Sequence, residues 1–320
     1  MAVYTPVDRA TLDAFLTQYD LGRLLDFQGI QAGVENSNFF VDTERGRYVL
    51  TIYERRVDPA DLPFFLGLME HLAERGIHCP LPIHGRDGQV QRSLMGKPAA
   101  IVTFLEGRCT EIIDPEHCQA LGTALGQLHR EGRDFSIRRQ NALSVDGWRR
   151  LLDLCEPDAG RVLPGLADEL ERDFQAIVAA WPTGLPSGVI HGDLFPDNIF
   201  FQDTDVTGII DFYFACNDLL AYDLAVCTVA WCFDEQHVFH PERARALVRG
   251  YVAERRLEPA EIRALPLLCR GASLRFLLTR LYDWLNRVDG ALVQPKDPLE
   301  YLAKLRFFRD VTDPAVCGVR

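Results

Sequence analysis

Three side chains between Val189 and Phe212, those of Asp193, Asn198 and Asp211, have the types and spacing needed to hold a cation beside a reactive phosphate. The stretch reads VIHGDLFPDNIFFQDTDVTGIIDF, with five residues from the first to the second and thirteen from the second to the third. A magnesium ion takes oxygen ligands, usually one or two from the protein, with phosphate oxygens and water completing the octahedron. A carboxylate at Asp211 and an amide oxygen at Asn198 meet that demand. A second carboxylate kept off the metal, Asp193, is free to accept the proton of an attacking hydroxyl. Each of the three adjoins a short apolar run, Val189-Ile190, Ile199-Phe200-Phe201 or Gly208-Ile209-Ile210, so short strands would hold them at one edge. The competing reading is a plain turn, in which an Asp or Asn side chain bonds nearby backbone. His191, Asp193, Asn198 and Asp211 standing in register weigh for chemistry over a turn.

The spacing D-x-x-x-x-N followed by I-D-F resembles the protein-kinase catalytic loop and its metal-binding acid. His191-Gly192-Asp193 stands where those loops carry His-Arg-Asp, and this form is similar to the aminoglycoside-phosphotransferase branch, whose members phosphorylate small molecules. His191 belongs to the catalytic loop, with holding the loop backbone favoured over direct proton transfer.

The elements that must position these residues fall into two blocks. A chain of 320 residues buries a large core and suggests two lobes, residues 1–106 and 107–320. Hydrophobic residues at 48% and charged ones at 25% are ordinary for a soluble protein. A net charge of −12 argues against a nucleic-acid partner and requires an anionic nucleotide to be held by local cations and a metal. No apolar run approaches the ~20 residues of a membrane span, and the first residues lack a secretory pattern, so the expectation is a cytoplasmic protein with no membrane partner. Nine cysteines without a C-x-x-C read as reduced, mostly buried thiols.

Residues 6–19 read as a short amphipathic helix, and 27–30, 37–42 and 47–53 as strands of an antiparallel meander. Between the first two strands, the turn from Gln31 to Asn38 is a candidate phosphate cover. Gly33 can take positive φ, and backbone amides with the side chains of Asn36, Ser37 and Asn38 could face phosphate oxygens. Thr51 occupies the place of the lysine that grips the phosphates in kinases, which leaves the nucleotide's cation partner open. Asp58-Pro59 opens an apolar-striped helix that ends at Gly76. The run Ile101 to Gly107 ends the strands as a hinge. Helical patterning follows, over 114–131, 163–181 and 258–288. His129 reads as a cation at a helix C-terminus, and Asp218 and Asp223 as caps or loop-fixing acceptors. Arg275, Arg280 and Asp283 lie in an otherwise apolar helical run, where charges need partners or a wet cavity; a structural ion pair and a substrate pocket are both open.

Four segments together make the chain similar to the homoserine kinases of the aminoglycoside-phosphotransferase-like family. They are GIQAGVENSNFFV from Gly29, YVLT from Tyr48, HGDLFPDN from His191 and IDFYFACND from Ile210. The resemblance spans nearly the whole chain, and Thr51 accords with it. It implies an α+β, bilobal protein-kinase-like fold: a small antiparallel sheet with one helix packed on it, then a larger, mainly helical lobe. It implies ATP and Mg²⁺ as cofactors, adenine against the backbone of Phe104 and Leu105, and L-homoserine as the small-molecule substrate. Homoserine carries a carboxylate and an ammonium, for which Arg275 or Arg280 and Asp283 or Asp218 are the candidates. The rival readings are a kinase for choline, an aminoglycoside or a sugar, and a catalytically silent nucleotide-binding scaffold.

Overall fold

The computed structural model describes residues 5–30, 36–54, 57–287 and 295–319, and its chain divides into two compact units. The first unit holds residues through Gly107 together with 135–139 and 207–213. It opens with helix α1, Arg9–Leu16, capped by Asp8, whose side chain accepts from the Thr11 amide at 2.7 Å. Strands β1 (Leu24–Gly29), β2 (Ser37–Thr43) and β3 (Gly46–Ile52) follow as the expected meander. Asp58 caps a 3₁₀ turn at Pro59–Asp61 that leads into α2, Leu62–Ala73, after which come β4 (Arg92–Leu94) and β5 (Lys97–Thr103). The sheet order is β1-β2-β3-β5-β4, and every pairing is antiparallel.

Alternation gives this sheet two different faces. Phe39, Val41, Leu50, Ile52, Ala99 and Ile101 point one way and bury against Leu12, Phe15, Leu16 and Tyr19, on and just after α1. Asn38 and Thr51, paired across β2 and β3, lie on the other face. The two later segments belong to this unit through specific contacts. Phe135 meets Phe64 at 5.5 Å, Arg139 bonds Asp61 at 2.7 Å, the Ile209 amide donates to the His78 carbonyl at 2.7 Å, and Tyr213 packs edge-on against Tyr53 and Phe65. The first unit thus reaches past the hinge boundary read from the sequence and takes in Asp211.

The second unit is mainly helical. Helices α3 (Pro115–Glu131), α4 (Val145–Ala159) and α5 (Leu166–Ala180) precede β6 (Ser187–Ile190). β7 (Ile199–Gln202) and β8 (Asp205–Ile209) form a two-stranded sheet, and β9 (Cys216–Leu219) pairs antiparallel with β6. Then come α6 (Leu220–Trp231), α7 (Pro241–Glu254), α8 (Pro259–Leu285) and α9 (Leu299–Arg309). Helix α6 is buried along its length, so any polar side chain on it needs a partner. Among the described residues no helix is long and apolar enough to cross a membrane.

Candidate active site

The loop His191-Gly192-Asp193 leaves the end of β6, and its backbone is held from below by one carboxylate. Asp223, fully buried in the first turn of α6, accepts from the His191 amide at 2.7 Å and from the Gly192 amide at 2.9 Å. Its third donor is His129 Nε2 on α3, at 3.1 Å. Behind the imidazole, Nδ1 meets the Tyr251 hydroxyl at 2.8 Å, and that hydroxyl accepts from Arg255 at 3.0 Å. Burial pushes the Asp223 carboxyl up, but the bond and charge of His129, the nearby His191 and the Gly192 amide outweigh it and hold the group below its ordinary range. His129 lies in the last turn of α3, as expected, yet it is buried and bonded to an acid instead of serving as an exposed helix-end cation.

Within the loop, the Asp193 amide donates to His191 Nδ1 at 3.3 Å, and the His191 side chain is wholly buried. Asn198 spends its amide nitrogen on Asp193, donating to the main-chain carbonyl at 2.8 Å and reaching a carboxylate oxygen at 3.4 Å. Its amide oxygen is thereby turned away from Asp193, the orientation a hard cation requires of an Asn ligand. The structure thus brings His191, Asp193 and Asn198 together. Asp211 falls in the first unit, exposed and at φ +65°, an unusual backbone for a residue other than glycine. Each taken in its own unit, the exposed carboxylate and the amide oxygen turned from Asp193 are of the donor type a hard cation takes.

Of the acceptor candidates, Arg275 is buried on α8, with Nη1 donating to the Gly192 carbonyl and Nη2 3.7 Å from an Asp193 carboxylate oxygen. Nη1 is committed to the loop main chain, and Nη2 faces the Asp193 carboxylate from beyond hydrogen-bond distance. Among the described residues Arg280 donates through Nη1, to Glu300 and the Asp297 carbonyl, and lies 4.4 Å over the Tyr301 ring. Asp218, on β9, accepts from Asn141 at 2.6 Å and from the Leu219 amide at 2.7 Å; burial pushes its carboxyl up. Asp283 is exposed near the end of α8.

In the first unit, Gly33 lies outside the described residues. The side chains of Asn36 and Ser37 make hydrogen bonds within this unit. Ser37 shares a face with Ile52, its cross-strand partner, and that face packs on α1. Its hydroxyl donates to Glu54 at 2.8 Å and accepts from the Thr5 amide at 3.0 Å, while Asn36 accepts from the Glu54 amide at 3.2 Å. Asn38 faces the opposite way. Its side-chain oxygen accepts from the Thr51 hydroxyl at 2.8 Å, so the position of the absent lysine is filled by a threonine–asparagine pair. Phe104, just after β5, meets Phe40 edge-on at 5.8 Å with Arg47 5.6 Å above its ring; Leu105 is half-buried beside it.

Residues 26–261 match the model of a phosphotransferase enzyme family. The chain belongs to that family, on its homoserine kinase branch. It is 58% identical to homoserine kinase from Xanthobacter autotrophicus over 97% of both chains. With homoserine kinase from Rhizobium johnstonii it shares 53%, over 100% of this chain and 99% of that one. Among solved structures, amicoumacin kinase hAmiN, in complex with AMP-PNP, Ca²⁺ and Ami, superposes with a TM-score of 0.69. That match has 16% identity and covers 95% of this chain and 92% of that one, so it speaks for the protein-kinase-like α+β fold alone. Two functional supports were legible only as types. Asp223 reads in the sequence as a cap or loop-fixing acceptor and His129 as a helix-end cation, but nothing in their spacing joins them.

Proposed function

We propose that the chain transfers the γ-phosphoryl group of ATP, as its Mg²⁺ complex, to the side-chain hydroxyl of L-homoserine. The observation that carries the reading is the Asp193 loop: a carboxylate whose main chain is clamped by Asn198 and whose preceding amides rest on buried Asp223. Such a base is pre-aimed, which is what phosphoryl transfer asks of a protein, since most of its catalysis is positioning and charge stabilisation. Homoserine kinases more than half identical over nearly the full length support the choice of acceptor.

Asp193 orients the hydroxyl and takes its proton as the oxygen–phosphorus bond forms and the bond from the γ-phosphorus to the bridging oxygen breaks, leaving ADP and O-phosphohomoserine. Asn198 and Asp211 are assigned to the metal, through the amide oxygen and the carboxylate. When bound, Mg²⁺ supplies Lewis-acid charge to the transferring group. The turn holding Gly33 and the Asn38 amide are assigned to the phosphates, and the backbone at Phe104 and Leu105 to the adenine. For the acceptor, Asp218 is assigned to the ammonium. Arg280, whose bonds among the described residues use Nη1, is preferred over Arg275 for the carboxylate.

The test is ADP release with Mg²⁺-ATP against homoserine, serine, threonine, choline and kanamycin. Saturable turnover with homoserine alone is expected, with kcat reduced about 10²-fold or more in Asp193→Asn. Turnover confined to another acceptor, or a near-normal kcat in that variant, would sink the substrate or the base assignment respectively.

A further inference from the structure

Gly192 carries a geometric demand that explains a cation elsewhere in the fold. Its φ is +74°, and a Cβ there would lie 3.1 Å from the Phe214 carbonyl oxygen, so a side chain is both strained and crowded. The loop therefore has no arginine of its own beside Asp193. A guanidinium comes instead from α8, 83 residues on, where Arg275 Nη1 donates to the Gly192 carbonyl and Nη2 stands 3.7 Å from Asp193.

The surroundings of this arginine are dry and aromatic. Its side chain is only 4% exposed, with the guanidinium 4.2 Å over the Phe276 ring and 5.6 Å from that of Phe214. Its Nε is buried with no hydrogen-bond partner among the described residues, a further cost to the fold. An apolar side chain of similar volume would be no worse for stability at such a place. What it could not do is grip a main-chain carbonyl and a carboxylate one residue apart.

We infer that Arg275 is a positioning residue for phosphoryl transfer, fixing the Gly192–Asp193 peptide and the Asp193 side chain from outside the loop, and that it does not read the acceptor's carboxylate. The inference rests on Asp193 being the base. Asp223 holds the His191 and Gly192 amides and Arg275 the Gly192 carbonyl, so Gly192 is gripped at both of its main-chain polar groups, just before Asp193. A carboxylate reader acts in binding, whereas a residue that aims the base acts in the transition state, and the two separate in kinetics.

The experiment compares wild type, Arg275→Met, Arg275→Lys and Asp193→Asn in kcat, in KM for ATP and in homoserine dissociation constant by calorimetry. Arg275→Met is expected to lower kcat about 10²-fold, with both binding constants within about threefold of wild type and kcat partly restored by added guanidinium ion. Arg275→Lys, which keeps the charge but not the two-point grip, is expected to lose about tenfold in kcat. Should the methionine variant not fold, the lysine variant alone decides, since wild-type kcat in it overturns the proposal. Weakened homoserine binding with unchanged kcat would overturn it too, making Arg275 the carboxylate reader. An active Asp193→Asn would instead remove the base assignment, whereas inactive Asp193→Asn beside fully active Arg275 variants would remove only the role given to Arg275.

Discussion

Two carboxylates organise the two units in different ways. Asp223 is fully buried in the second unit and takes two main-chain amides and an imidazole. Glu54 sits at the end of β3 in the first unit and takes the hydroxyls of Thr5 and Ser37 and the ammonium of Lys97. The first works on backbone, so the motif side chains above it stay available for chemistry. The second works on side chains, and by doing so it removes Ser37 from the face that carries Asn38 and Thr51. A residue in a recognisable motif is therefore available to a ligand only if no structural hub has claimed it. That depends on which face of a strand it occupies.

The largest effect expected from breaking this contrast is at Asp223. Asp223→Asn offers one acceptor oxygen and sets an NH₂ against donors, so a loop amide or His129 loses its partner in a buried place. Breaking a buried charge network costs about 3–5 kcal/mol, and loss of the loop's aim should lower kcat by about 10²-fold or more. Urea unfolding and steady-state rates measure both. A variant that is less stable yet keeps wild-type kcat would show that the loop is aimed by other contacts.

A smaller effect tests the first unit. Ser37→Ala removes two hydrogen bonds and should cost about 1–2 kcal/mol of stability while leaving KM for ATP unchanged. Asn38→Ala, on the other face, is expected to raise KM for ATP about tenfold, the worth of one well-placed hydrogen bond. Reversal of the two KM results would return Ser37 to the phosphates.

These expectations also mark where the sequence was readable. Asp193 and Asn198 were legible because the eight residues between β6 and β7, with the two only five apart, leave few ways to arrange them. The strand phase of β2 was not. Phe39 and Phe40 are adjacent, so the apolar pattern of Ser37–Thr43 does not say which face is core, and Ser37 and Asn38 looked equivalent. Helix α4 is weakly marked in the sequence, since Gly147 and Pro157 disfavour a helix interior, although Trp148, Leu152 and Cys155 share its buried face. Arg275 was visible as a cation in need of a partner; that its partner is a loop 83 residues earlier is a property of tertiary packing alone.

The finest test of the comparison is in acid. Burial raises the Glu54 carboxyl, but bonds from Lys97, Thr5 and Ser37 prevail and hold it below the ordinary 4.5. A group whose folded pKa is depressed stabilises the fold fully above its unfolded pKa and loses that contribution as pH falls through the folded value. The first unit should therefore lose stability as pH drops below ~4.5, and Glu54→Gln should flatten that part of the stability curve. Asp223 is depressed in the same direction, so the Glu54→Gln variant keeps a second acid-sensitive step. Urea midpoints between pH 6 and pH 3, followed by near-ultraviolet signals, resolve the difference. If Glu54→Gln leaves the acid slope unaltered, Ser37 is held by packing on α1 and not by the carboxylate, and the contrast between the two hubs reduces to burial alone.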